Sequence, residues 1–138
     1  IFMMEQRLSQ DGIHIVYTDA TEESYVNGDP QRIRQVFVNL IDNARKFSSS
    51  GSTIDISIEE DPETDIVYVT FKDRGCGIPA EDLPRVKEKF FKGNTGRAGS
   101  GIGLALCNEI TLSPHHDRFL NKEAEGWLDM SVKWMKKQ

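Results

Sequence analysis

The feature that most restricts this chain is the distribution of its glycines, since seven of the eleven fall between residues 73 and 106. Five of the seven form two clusters. Asp73-Arg74-Gly75-Cys76-Gly77 opens the stretch and Gly99-Ser100-Gly101-Ile102-Gly103-Leu104 closes it. Glycine lets a backbone take positive φ or approach a ligand with no Cβ in the way, so the clusters read as two walls of one pocket. The second runs into the helical pattern Ile102-Gly103-Leu104-Ala105-Leu106-Cys107, which sets its amides at a helix N-terminus where anions bind. A nucleotide phosphate fits such a site.

At 138 residues the chain has room for one domain and one hydrophobic core. Its 17 Lys and Arg against 22 Asp and Glu give a net charge of -5, which argues against a nucleic-acid partner or an anionic membrane surface. Positive charge for a phosphate must therefore be local. The apolar runs are too short to span a bilayer and no signal-peptide pattern opens the chain. Cys76 and Cys107 share no close spacing and read as reduced thiols, so a cytoplasmic location is expected.

Residues 1–8 carry the pattern of an incoming helix, and Ile13, Ile15 and Tyr17 alternate with His14, Val16 and Thr18 as in a half-buried strand. Tyr25-Val26-Asn27 is a candidate short strand. Asp29 and Pro30 then supply a helix cap and a first-turn proline. The helix that follows, to about Phe47, gathers Ile33, Phe37, Leu40, Ile41, Ala44 and Phe47 on one arc. Gln35, Asn39, Asn43 and Lys46 form a polar row bordering that arc. Asn39 and Asn43 lie one turn apart, so their amide oxygens can converge on one ligand, and Lys46 adds a cation in the same row. Oxygens with a cation suit magnesium and phosphate; a solvated helix edge is the plainer reading of the same row.

Ile54, Ile56 and Ile58, then Val67, Val69 and Phe71, alternate with polar residues and predict a hairpin across residues 60–65. Its second strand delivers Asp73 to the sheet's end, where a carboxylate beside a glycine turn can accept a hydrogen bond from an amino group such as that of adenine. A short helix is expected over residues 79–92 with Leu83, Val86 and Phe90 inward. A cation-bearing lid at 92–98, a helix to about Leu112 and a last hairpin around 124–126 follow.

Asn39-Leu40-Ile41-Asp42-Asn43-Ala44-Arg45-Lys46-Phe47, Asp73-Arg74-Gly75-Cys76-Gly77, Lys89-Phe90-Phe91-Lys92 and Gly99-Ser100-Gly101-Ile102-Gly103-Leu104 together resemble the N, G1, F and G2 boxes of sensor histidine kinases, in the family's order. The resemblance covers residues 13–112. It implies the ATP-binding fold shared with DNA gyrase, the heat-shock chaperone ATPase and mismatch-repair ATPases. That fold is α+β, a two-layer sandwich of a mixed, mainly antiparallel sheet with about three helices on one face. It also implies that Asn43 is the principal magnesium ligand with Asn39 beside it, that Lys46 lies near the phosphates and that Asp73 reads the adenine amino group. Gly75, Gly77 and Ile78 would shape the adenine pocket. Phe91, Lys92, Arg97 and the run Gly99, Ser100, Gly101, Ile102, Gly103 and Leu104 would surround the nucleotide.

The implied function is positioning of Mg-ATP for γ-phosphoryl transfer to a histidine on a separate helical dimerisation domain, and thence to a response regulator. His14, His115 and His116 lie in no phosphoacceptor context. Residues 1–11 then read as a linker stub from that dimerisation helix and 12–138 as the catalytic domain, a monomer in isolation, with membrane anchoring of a longer protein left open. Three departures stand out: Lys87 replaces the first aromatic of the F box, Gly126-Trp127 replaces a Gly-Thr, and His115-His116-Asp117 replaces a His-Gly-Gly. A degenerate docking module and a serine-directed anti-sigma-factor kinase of the same fold are the alternatives. A Gly-Lys-Ser/Thr P-loop is absent, and Pro79 and the cation-rich loop after it do not fit a dinucleotide crossover.

Overall fold

A computed structural model describes residues 2–21, 25–26, 28–63, 66–85, 88–89, 91, 117–124 and 127–135; for 2, 3, 83 and the last two spans it describes the backbone. Helix α1 (Phe2–Gln10) leads into β1 (His14–Asp19), then come α2 (Pro30–Phe47), β2 (Thr53–Asp61), β3 (Ile66–Asp73), a 3-10 turn (Leu83–Arg85), β4 (Asp117–Ala124) and β5 (Trp127–Met135). The sheet order is β1-β2-β3-β5-β4. β1 runs parallel to β2 across the α2 crossover, and the remaining pairs are antiparallel. This is the mixed, mainly antiparallel sheet expected; the third helix expected on its face lies outside the described residues.

The α1 turn shows how local sequence sets direction. Gly12 takes φ 69°, its amide bonds the Ser9 carbonyl at 3.1 Å and the Ile13 amide bonds the Leu8 carbonyl at 2.8 Å. This pair of bonds is a Schellman stop, and the apolar contact such a stop favours falls between Leu8 and Ile13, both buried. The Gly12 carbonyl then accepts the Gly51 amide at 2.8 Å, tying the turn to the lead-in of β2.

α2 starts where Asp29 accepts the Gln31 amide at 2.8 Å, followed by Pro30, which has no amide to lose. Val36, Leu40, Ile41 and Ala44 are its buried positions. Ile33 and Phe37, at the edges of that stripe, are half-buried. The helix lies over Ile54 and Ile56 of β2 and Val67, Val69 and Phe71 of β3, with Met4 and Leu8 of α1 completing one core. Phe37 meets Phe71 edge-on, ring centroids 5.3 Å apart at 70°, a contact worth about 0.5–1.5 kcal/mol beyond the area it buries. It fixes α2 along β3.

Three expectations change. The segment at 25–27 is an isolated bridge at Val26 with Tyr25 exposed, and Asn27 lies outside the described residues. Tyr17 is 49 % exposed, on the strand that forms the edge of the sheet among the described residues. Where a helix was expected over 79–92, the described residues form a string of tight turns: amides of Asp82, Arg85, Glu88 and Phe91 bond carbonyls three residues back. Pro84 explains it, since proline lacks the amide an α-turn needs and disfavours helical backbone in Leu83 before it. Val86 and Phe90 lie outside the described residues, and the side chain of Leu83 does too.

Candidate functional site

β3 ends on Asp73, which is 3 % exposed although it carries a carboxylate. Its Oδ1 accepts the Gly75 amide at 2.8 Å. Burial pushes the Asp73 pKa up from its ordinary value, and the Gly75 amide, which favours the anion, opposes this without cancelling it. A buried carboxylate with a single donor among the described residues retains capacity to accept from a ligand amino group.

The turn after Asp73 rests on the end of α2. A Cβ at Gly75 would lie 2.5 Å from the Phe47 carbonyl oxygen and 2.8 Å from Asp73 Oδ1, so no side chain fits there. The Cys76 amide donates to the same Phe47 carbonyl at 3.3 Å. Gly77 follows at φ 69°, a left-handed conformation that favours glycine, and Ile78 packs half-buried against the core. Arg74 steadies the strand end from β2: its Nη2 lies 2.8 Å from Asp55 Oδ2 and its Nη1 donates to the Thr53 carbonyl at 3.3 Å.

Along α2, Asn39, Asn43 and Lys46 are all half-buried, as a row bordering the core requires. Lys46 stands one residue before the carbonyl on which the Asp73 turn rests, so the row ends at the Asp73 wall. Asn39 Nδ2 is buried with no hydrogen-bond partner among the described residues. Such a group costs about 1–3 kcal/mol unless something pairs with it. The row also holds a feature the sequence reading passed over. Lys46 Nζ lies 2.9 Å from Asp42 Oδ2, and Arg45 bridges Asp42 and Asp11. Burial alone would raise the Asp42 pKa, but hydrogen bonds from Lys46 and Arg45 outweigh it and leave it lowered.

Ser48, the C-cap of α2, was also passed over; its hydroxyl is buried and has no partner among the described residues. Phe91 is half-buried, with the Arg85 guanidinium 4.6 Å above its ring. Lys92, Arg97, Gly99, Ser100, Gly101, Ile102, Gly103 and Leu104 lie outside the described residues, as do Lys87, the lid expected at 92–98, His115 and His116. β5 pairs Leu128 with Asp73 and Trp127 with Ala124; the side chain of Trp127 is outside the description. His14 is exposed on β1, and among the described residues no three His, Cys, Asp or Glu side chains gather as a metal cluster.

Residues 28–133 match the family described as histidine kinase-, DNA gyrase B- and HSP90-like ATPase. The chain belongs to that family. Sporulation kinase A of Bacillus subtilis is 40 % identical to this ATPase domain over 108 residues, which are 78 % of this chain and 17 % of that protein. The catalytic domain of histidine kinase ThkA, in a nucleotide-free form, superposes with a TM-score of 0.86 at 25 % identity, covering 98 % of this chain and 86 % of that one. ThkA in complex with the response regulator protein TrrA gives 0.82 at 23 % identity, over 99 % and 38 % of the two chains. The α+β fold is thus that of histidine kinase ATPase domains, which bind ATP. The match spans less than a fifth of sporulation kinase A. No helix among the described residues is long and apolar enough to cross a membrane.

Proposed function

We propose that this domain is the catalytic part of a two-component sensor histidine kinase, positioning Mg-ATP for transfer of the γ-phosphoryl group to a histidine on a helical dimerisation domain. The observation that carries it is the buried Asp73 carboxylate, held on one side by the Gly75 amide and walled by the end of α2. Asp73 accepts the adenine amino hydrogen. Gly75, Gly77 and Ile78 form the base pocket. Asn39 and Asn43 face the phosphates with Lys46, and the buried Asn39 Nδ2, which has no partner among the described residues, supports a polar ligand there.

The chemistry is positioning and charge stabilisation. A magnesium ion held by Asn43, with Asn39 beside it, would neutralise phosphate charge and orient the γ-phosphoryl group. Lys46 supplies a point charge to the phosphates. Phe91, Lys92, Arg97, Gly99, Ser100, Gly101, Ile102, Gly103 and Leu104 are assigned the lid side of the nucleotide on motif grounds. Residues 1–11 are taken as the linker from the dimerisation helix and 12–138 as the catalytic domain. The isolated chain is taken as a monomer, in the cytoplasm where ATP is the phosphoryl donor. A response regulator is the downstream partner, as for ThkA with TrrA.

Transfer of label from γ-labelled ATP by the full-length protein tests this reading. The expected product is stable to base and labile to acid, as a phosphohistidine is, and Asn43→Asp abolishes it. Acid-stable label would favour the serine-directed alternative, and no label with intact ATP binding would favour a docking module.

A further inference from the structure

Four charged side chains run from the end of α1 to the polar row of α2. Arg45 Nη1 lies 2.6 Å from Asp11 Oδ2, Arg45 Nη2 lies 3.1 Å from Asp42 Oδ1, and Lys46 Nζ lies 2.9 Å from Asp42 Oδ2. The signs alternate, and the middle residues, Arg45 and Asp42, each divide between two partners. Their side chains are 28 % and 29 % exposed, so solvent screens them only in part. Asp11 closes the C-terminal turn of α1, where a carboxylate opposes the helix dipole. No local preference places an acid there, and its contact with Arg45 is what offsets the cost. The hydrogen bond to Asp11 is also the largest influence holding the Arg45 pKa above its ordinary value.

We propose that Asp42 and Arg45 are positioning residues that restrain Lys46 from the nucleotide phosphates and couple the Lys46–phosphate contact, with opposite sign, to the Arg45–Asp11 contact at the end of α1. The proposal rests on the reading of Asn39, Asn43 and Lys46 as the phosphate side of the site. A phosphate at Lys46 competes with Asp42 for the ammonium. Relieved of one cation, Asp42 turns its charge on Arg45, and Arg45 is then held less by Asp11. Coupling between two contacts is reciprocal, so loosening Asp11 releases Lys46 toward the phosphate. A displacement of α1 that parts Asp11 from Arg45 would thereby raise ATP affinity, and bound ATP would loosen α1 at its end.

Calorimetry of Mg-ATP binding on the wild type, Asp11→Asn, Lys46→Met and the double variant tests this. Asp11→Asn is expected to tighten Kd about threefold, the size of one partly exposed ion pair. In the Lys46→Met background the same change should leave Kd the same within measurement. Equal tightening in both backgrounds would mean a general loss of negative charge and overturns the coupling. So does an unchanged or weaker Kd in Asp11→Asn, whatever its Tm, since a merely structural contact would move Tm alone.

If Lys46→Met leaves no measurable binding, amide exchange on the wild type decides. Mg-ATP should speed exchange at Asp11 and Gly12, whose amides close α1 onto Leu8 and Ser9; unchanged or slower exchange overturns the proposal. A wild type that binds no Mg-ATP overturns the site reading and this proposal with it. A wild type that binds, with equal ratios in the two backgrounds, overturns the coupling alone.

Discussion

Gly75 donates its amide to Asp73 Oδ1 at 2.8 Å from a position where any Cβ would meet the Phe47 carbonyl oxygen at 2.5 Å. The hydrogen bond and the missing side chain are two parts of one constraint, because the turn can satisfy Asp73 only by lying flat on the end of α2. Gly75→Ala is therefore expected to cost about 1–3 kcal/mol, as overpacking against backbone does, and to weaken nucleotide binding by moving Asp73. Urea denaturation with parallel binding measurements checks both; wild-type stability would show that the turn has room to shift.

Asp73→Asn should separate stability from binding. The folded-state pKa of Asp73 is raised by burial, so its contribution favours folding at low pH. That contribution is lost as pH rises from the ordinary aspartate value of about 3.9 through the raised value. At neutral pH the ionised side chain is a cost, and the neutral amide removes it while keeping an acceptor for Gly75. The variant is expected to be as stable as the wild type or more so at pH 7. Its advantage should shrink as pH falls through that window. Denaturant melts across the window check the sign, and a variant much less stable at pH 7 would show the carboxylate to be structural.

Asp29 caps α2 through the Gln31 and Arg32 amides at 2.8 and 3.4 Å. Asp29→Ala should cost about 1 kcal/mol without altering Asp73, so a fall in Tm with near-normal nucleotide affinity is the expected pair of results. Asp29→Ser should restore most of the loss.

What was readable in the sequence was local. The Asp29-Pro30 start of α2, the alternation of β2 and β3 and the delivery of Asp73 to a strand end each follow from neighbours within a few residues, and the structure has all three. Val36 was left off the apolar arc, yet it is fully buried, because α2 lies with Val36 and Leu40 rather than Ile33 and Phe37 at the centre of its contact. The exposure of Tyr17 depends on which strand is the edge, and the parallel pairing of β1 with β2 spans the whole of α2. Arg45 and Asp11 meet across 34 positions, a contact no periodicity displays. Pro84, in contrast, stands in the sequence, and its missing amide opposes the helix expected at 79–92.

Mg-ATP calorimetry of this chain and its Asp73→Asn variant at pH 7 is the most direct test of the adenine site. A charged acceptor contributes about 1.5–3 kcal/mol to its hydrogen bond, so the wild type should bind and Asp73→Asn should bind on the order of 10- to 100-fold more weakly. Asn43→Asp should also weaken binding, through the magnesium side of the site. Equal affinity in wild type and Asp73→Asn would take Asp73 out of the adenine site and contradict the account.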